Sequence, residues 1–474
     1  MRDFAKTKIV CTLGPTTDGK DDVLEKMVLA GMNVARINAS HATEQQMRER
    51  YEAVRRVSEK TGIPVAIMLD TKGPDVRLGE IEGGKVMLEA GARFTLTSDE
   101  IVGNSERASV AYERLPVEVE VGSDILIDDG LVRIRVMERN ERELICEVII
   151  GGLVGSKKSV NVPGAKLDIP FIREKDEADI AFAIEHDFDF IAASFTRTAA
   201  DVEQIKAILA ERGSGMRIIA KIENFEGVEN IDEILEASDG VMVARGDLGV
   251  EIPFEEIPAL QKSILKKALQ RGKASITATQ MLESMVNSPR PTRAEITDVA
   301  NAIYDGTSAI MLSGETAMGN YPVEAVSTMT VIARKTEEDI NYISQLIFNR
   351  PYKPFDITEA IGHAACTIAH DIKASAIIAI TITGVTAEEV SKYRASCSIM
   401  AFTSNRQTMR QLCLSWGVLP VYLENLDGGD DLLEAAIGRA RERGMLASGD
   451  KVVATAGLPL GVAGSTNMLR VVTV

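Results

Sequence analysis

Eight short apolar runs, each closed by turn residues and followed by a segment of helical period, constrain this chain more than any other feature. They are "KIVCTLG" (Lys8–Gly14), "VARIN" (Val34–Asn38), "VAIMLD" (Val65–Asp70) and, after a long interruption, "FIAASF" (Phe190–Phe195), "IIAKIE" (Ile218–Glu223), "GVMVARG" (Gly240–Gly246), "SITATQ" (Ser275–Gln280) and "AIMLSG" (Ala309–Gly314). Runs this short and this apolar read as strands buried on both faces, the condition of a parallel sheet covered by helices. The stretches between them look helical: "FEEIPALQKSILKKALQRG" places Ile257, Leu260, Ile264, Leu265 and Ala268 at helical spacing and stops on Gly272. Eight strands alternating with helices predict an α/β fold, a (β/α)8 TIM barrel.

The chain of 474 residues exceeds one ordinary core. The interruption, with "KVMLEAGARFTLTS", "VEVEVG" and "DILIDDGLVRIRVMERNERELICEVII", shows short alternating strands and turn signals. It predicts a small inserted β-barrel domain over 73–166, placed after the third barrel strand, where it can act as a lid. The barrel then comprises 1–72 and 167–341. From 342 to 474 a shorter series, "SAIIAITIT", "IMAFTS", "LPVYL", "DKVVATAG" and "LRVVTV", predicts a C-terminal α/β domain with a mostly parallel sheet.

Charge and cysteine usage exclude several function classes. A formal net charge of −17 repels nucleic acid and anionic membrane, so a phosphate-bearing ligand needs a locally basic pocket. Five scattered cysteines (Cys11, Cys146, Cys366, Cys397, Cys413) without a CxxC pair fit reduced, buried thiols. No run approaches the ~20 apolar residues of a membrane span, and the N-terminus lacks a long apolar core before a cleavage site. The expectation is a cytoplasmic protein.

Barrel chemistry belongs at the carboxyl ends of the strands. Strand five ends with Lys221 and Glu223 on one face, and Asp247 follows the next strand. Two carboxylates on adjacent strand ends can hold one Mg2+ and leave positions for water and substrate, with Lys221 as a second positive centre. The plainer alternative is a structural Lys221–Glu223 ion pair with Asp247 as a helix cap. "ARGDLG" favours a ligand, because a glycine turn entering a helix presents free N–H groups. Arg36, Asn38, Ser40, Asp70, Thr71, Thr279, Ser313 and Glu315 extend the polar mouth. There is no P-loop or useful GxGxxG motif, and of four histidines only His41 lies near the mouth.

The segments "TKIVCTLGP", "GMNVARINASH", "LDTKGPDVRLG", "ILIDDGL", "GSKKSVNVPG", "IIAKIENFEGVENIDEILEASDGVMVARGDLGVEIP", "TATQMLESM", "PRPTRAEITDVANAIYDGTSAIMLSGETAMGNYPVEAV" and "GSTNMLRVV", in this order, resemble the pyruvate kinase family over essentially the whole chain. The resemblance implies a barrel, a β lid and an α/β C-terminal domain, and transfer of phosphoryl from phosphoenolpyruvate to ADP. It places Mg2+ (or Mn2+) on Glu223 and Asp247, and the substrate carboxylate on the N–H groups of Gly246 and Asp247 and the Thr279 hydroxyl. Lys221 and Arg36 would surround the phosphoryl group. Thr279 and Ser313 would take part in a water relay that protonates the enolate. Asn38, Ser40, Asp70 and Thr71 match the family's K+ site. Members independent of K+ carry lysine at the place of Asp75, so an acid there predicts K+ dependence. Arg77, His41 and Lys158, with Asn38 nearby, match positions that approach the nucleotide phosphates. Asp129 is either a lid contact or a turn residue. "PRPTRAE" (Pro289–Glu295) either caps a helix or, as in the family, lies near a subunit contact, which implies a homotetramer.

The sequence departs from the family in the C-terminal domain. The phosphate loop of members activated by fructose 1,6-bisphosphate has a basic residue where "TITGVT" has Val385, and "AGLPLGVAGSTN" (Ala456–Asn467) lacks an arginine or tryptophan. Thr381, Thr383 and Thr386 still offer an anion turn. The open options are a sugar monophosphate effector, a nucleotide effector, or none. Two rival classes stand beside the kinase. A metal-dependent barrel aldolase or lyase acting on pyruvate would not need the lid lysine or the K+ set, and an idle effector-binding relative would be expected to lack Lys221 or a metal ligand.

Overall fold

The computed structural model describes residues 4–348, 356–424, 431–457 and 466–474. All eight predicted runs join one closed parallel barrel: Lys8–Thr12, Val34–Asn38, Ala66–Asp70, Phe190–Ala193, Arg217–Ile222, Gly240–Ala244, Ala274–Ala278 and Ala309–Leu312, here strands one to eight. Strand one pairs with both strand two and strand eight, which closes the ring.

The pleat sorts each strand between two cores. Val10, Val34, Met68, Phe190, Ile219, Met242, Ile276 and Met311 point inward and fill the barrel. Their neighbours Ile9, Cys11, Ile67, Ile218 and Ala220 point outward into the layer shared with the helices. Strands buried on both faces are therefore mostly apolar until their ends, with the buried hydroxyls of Ser275 and Thr277 in strand seven as exceptions. The helix predicted around Leu260 spans Ile257–Gln270 and buries Ile264, Leu265 and Ala268 against the strands.

After strand three the chain turns through Gly73, whose φ is +70°. A Cβ there would lie 2.8 Å from the Ser194 carbonyl oxygen, so both the backbone angle and the close approach require glycine. The insertion follows as a six-stranded sheet and a two-stranded ribbon, Lys85–Leu88 with Gly152–Gly155. Both wrap one apolar cluster that includes Phe94, Leu88, Ile134 and Val154.

The C-terminal unit is a five-stranded sheet in the order Val418–Tyr422, Ser398–Thr403, Ala376–Ile380, Lys451–Gly457 and Thr466–Thr473. Only the last pairing is antiparallel. This unit sits on the amino end of the barrel. Cys413 and Leu414 plug the barrel interior, and the buried Lys8 ammonium donates to the Val418 carbonyl at 2.6 Å. The lid and the C-terminal unit thus occupy opposite ends of the barrel. All five cysteines are free, with Cys397 alone partly exposed. Among the described residues no helix is long and apolar enough to cross a membrane.

Candidate active site

On strands one to five the inward face continues past its apolar portion in steps of two, and there the chemistry changes. Thr12 follows Val10, Arg36 follows Val34, Asp70 follows Met68, Ser194 follows Ala192, and Lys221 follows Ile219. The apolar packing of the barrel becomes the floor of a polar cavity of about 320 Å3 under the lid. Arg36, Asn38, Ser40, His41, Asp70, Thr71, Arg77, Lys221, Glu223 and Asp247 all line it.

One buried network organises that floor. Lys221 Nζ lies 3.0 Å from Asp70 Oδ1, 2.9 Å from Glu223 Oε1 and 2.7 Å from Ser194 Oγ. Asp70 Oδ2 accepts from Arg36 Nε at 2.6 Å, and Arg36 also donates to Thr12 Oγ1. Burial alone would raise Asp70, but Arg36 and Lys221 outweigh it and hold the carboxyl below its usual range. Burial would likewise lower Lys221, yet Asp70 and Glu223 hold it above its ordinary value. Glu223 behaves differently: burial pushes it up to about 7 in spite of Lys221, and Asp247 adds to the rise.

That upward push is the test of fit for a divalent cation. Two carboxylates at adjacent strand ends repel each other's charge, and a cation between them would relieve both. Glu223 Oε2 accepts from the Phe195 N–H at 2.7 Å and Oε1 from Lys221, so each oxygen keeps a second lone pair for a metal. The plainer ion-pair reading is thus also true, since Lys221 and Glu223 do pair. Asp247 is no cap, however, because it lies inside the first turn of the helix Arg245–Glu251.

Other expected residues are arranged less directly. Thr279 has a left-handed φ of +69°, uncommon for a β-branched residue, and its hydroxyl accepts from the Gly246 N–H at 2.8 Å. Gly246, Thr279, Ser313 and Lys158 are not wall residues of the cavity. The Ser313 N–H donates to Glu315, which is fully buried and also takes the Leu282 N–H. Glu315 is therefore a tie behind strand eight and not part of the mouth, because its carboxylate is taken up by the Ser313 and Leu282 backbone donors.

Asn38 and Asp70 are paired across strands two and three, with Ser40 and Thr71 just beyond, so four oxygen-bearing residues gather at one edge of the cavity. On the lid side, Lys158 pairs with Asp128 at 2.9 Å, while His41 is exposed on the rim. Asp75 pairs with Arg77, with Arg173 at 3.0 Å and with Lys72 at 3.5 Å. Asp129 combines both of its expected roles: it has a left-handed φ of +55°, holds Ser159 Oγ at 2.8 Å and lines the cavity. Thr292 caps the helix Arg293–Tyr304 through a capping box with Glu295, as the simpler reading of "PRPTRAE" requires.

In the C-terminal loop, the Thr381 hydroxyl takes the Gly384 N–H and Thr386 meets the Thr466 hydroxyl at 2.7 Å. Only Thr383 is exposed. The second loop, from Leu458 to Ser465, lies outside the described residues. Sequence reasoning missed three members of the floor: Ser194, Thr12 and the Phe195 N–H. The first two follow the same step of two that marks Arg36 and Lys221.

A closed barrel whose mouth gathers two buried cations and the carboxylates of Asp70, Glu223 and Asp247 beneath a lid has the architecture of a barrel enzyme. Residues 4–326 match the family "Pyruvate kinase, barrel domain", and residues 359–472 match "Pyruvate kinase, alpha/beta domain". A pyruvate kinase of Geobacillus stearothermophilus is 48% identical over 98% of this chain and 80% of its own. One of Clostridium acetobutylicum is 46% identical over 98% of this chain and 99% of its own. The crystal structure of a pyruvate kinase from Cryptosporidium parvum superposes with a TM-score of 0.94 at 40% identity, covering 99% of this chain and 96% of that one. The chain belongs to the pyruvate kinase family and is a phosphotransferase.

Proposed function

We propose that this chain transfers phosphoryl from phosphoenolpyruvate to ADP, giving ATP and pyruvate, as the last step of glycolysis in the cytoplasm. The observation that carries this reading is the buried Lys221, held between Asp70 and Glu223 beside Arg36 at the floor of the lidded cavity. Two preorganised cations suit a phosphoryl group whose charge spreads over its oxygens during transfer. The carboxylates on both sides keep the ammonium protonated and aimed, so no reorganisation is needed when charge develops.

Glu223 and Asp247 would hold Mg2+ (or Mn2+), which when bound supplies a Lewis-acid centre for the carboxylate and carbonyl oxygens of pyruvate. Asn38, Ser40, Asp70 and Thr71 would hold K+, adding positive charge at the edge of the cavity. The Asp247 N–H, and the Gly246 N–H now engaged by Thr279, would receive the substrate carboxylate. Neither Thr279 nor Ser313 has an acidic hydroxyl, so protonation of the enolate would pass along water near them. Arg77, His41 and Lys158 would meet the nucleotide phosphates, and lid closure would exclude water as an acceptor. The active form is read as a homotetramer. A sugar monophosphate or nucleotide effector, if one acts at the C-terminal loop, would have to displace the internal bonds of Thr381 and Thr386.

ADP-dependent pyruvate formation from phosphoenolpyruvate, with Mg2+ present or chelated, tests the reaction. Pyruvate appearing only with ADP and metal is the expected result. Its absence under both conditions would bring the idle relative or the aldolase forward. A second expectation concerns pH. The metal needs Glu223 ionised, and burial pushes its carboxyl up from the usual carboxylate range toward neutrality, so Mg2+ should bind progressively more weakly as pH falls below neutral, by up to about tenfold per pH unit. Calorimetric Mg2+ titrations at about pH 6 and about pH 8 check this, and equal affinities would contradict it.

A further inference from the structure

A second polar cavity, of about 390 Å3, lies at the opposite end of the barrel, between the amino ends of the strands and the C-terminal unit. Arg217, at the start of strand five, and Lys273, just before strand seven, contribute from the barrel side. The C-terminal unit contributes Lys392, Arg394 and Trp416.

Most of its charges are already matched. Arg217 pairs with Glu388, and Lys392 pairs with Glu359 at 3.0 Å and Glu389 at 3.3 Å. Arg394 and Lys273 differ. Among the described residues neither forms an ion pair with a carboxylate: Arg394 donates to the Gly306 carbonyl at 2.6 Å, and Lys273 to the Ser238 carbonyl at 2.7 Å. Arg394 is 5% exposed, its Nε has no hydrogen-bond partner among the described residues, and its guanidinium lies 4.8 Å from the centre of the Trp416 ring. A buried guanidinium with an unused donor and only neutral partners is costly, and an anion would remove that cost. Burial draws Arg394 down to about 9, and the opposing pull of Glu337 and Tyr342 only partly offsets it.

We propose that this cavity binds a phosphomonoester dianion between Arg394 on the C-terminal unit and Lys273 on the barrel. The volume lies within the range of small-ligand sites and has room for more than the phosphate. Guanidinium suits phosphate geometry, and the aromatic ring beneath it holds the plane in place. The site lies beside the threonine loop, whose Val385 reaches its wall while Thr381, Thr383 and Thr386 do not, and Arg217 joins the two. Its guanidinium donates to the Thr383 carbonyl at 2.9 Å from the same strand that ends in Lys221. A ligand here would cross-link the barrel and the C-terminal unit along strand five.

The chain contains one tryptophan, Trp416, so its fluorescence reports on this cavity. Inorganic phosphate, glucose 6-phosphate and AMP are titrated to millimolar concentration into the full chain, with calorimetry in parallel because Arg394→Met itself alters the indole environment. A saturable response to phosphate alone identifies a bare anion site, and one confined to the esters identifies contacts beyond the phosphate. Either supports the proposal if Arg394→Met and Lys273→Gln each weaken binding about tenfold or more while Thr386→Val does not. Should Arg394→Met fail to fold, Lys273→Gln decides. No response to any of the three, full affinity in Lys273→Gln, or loss in Thr386→Val alone would overturn it.

Discussion

Lys221→Met is expected to lower kcat by about 10²–10³-fold, the loss seen when one preorganised group is removed from a developing negative charge. The side chain keeps its length, so the cavity keeps its shape, but the charge beside the phosphoryl group is gone. The substitution also strips Asp70 and Glu223 of a shared partner. Breaking a buried ion pair from one side costs about 3–5 kcal/mol, so the variant should unfold at lower temperature as well. The two effects separate experimentally. Mg2+ would compensate Glu223 and raise the melting temperature of the variant more than that of the parent, while kcat at saturating Mg2+ stays low. A folded Lys221→Met enzyme within tenfold of the parent would show that Lys221 only braces the floor, and that Arg36 alone serves the phosphoryl group.

Replacing K+ by a large inert cation at constant ionic strength is expected to lower kcat by about 10²-fold, on the same argument that one positive centre near the phosphoryl group is lost. The oxygen-bearing residues at the ends of strands two and three are small and polar, and none brings a resident positive charge. Asp75 stands where K+-independent relatives of the family carry lysine. Asp75→Lys should therefore shrink the ratio of activities with and without K+ toward tenfold or less. The carboxylate now ties Lys72, Arg77 and Arg173 together, so the new lysine would meet three cations and overall activity should fall. An unchanged ratio in Asp75→Lys, or a parent enzyme indifferent to K+, would remove Asp75 from the account of cation dependence.

The barrel was legible because burial on both faces leaves a strong mark. Runs such as "AIMLD" and "GVMVA" have no polar position to spare, and their ends announce the mouth by the first charged residue. The same step of two that exposes Arg36 and Lys221 also reaches Thr12 and Ser194, but hydroxyls at strand ends are common and carry no charge to draw the eye. Glu315 shows the reverse error. Its charge suggests a mouth residue, whereas the folded chain spends it on the Ser313 and Leu282 N–H groups. A carboxylate's destination depends on which backbone donors lack partners, and that is a property of the packed loops.

By itself the sequence determined the eight-stranded barrel, the interrupting β insertion, the C-terminal sheet and the strand-end positions of the cations and carboxylates. These are local or periodic properties, set by which face of each segment must leave water. Only the tertiary structure decided the partners. Arg36 with Asp70, Lys221 with Ser194, and Arg394 with the Gly306 carbonyl join residues 34, 27 and 88 positions apart. Such contacts form where strand registers and docked units bring side chains together. No pattern along the chain records which buried charge will find its counterpart and which, like Arg394, will not.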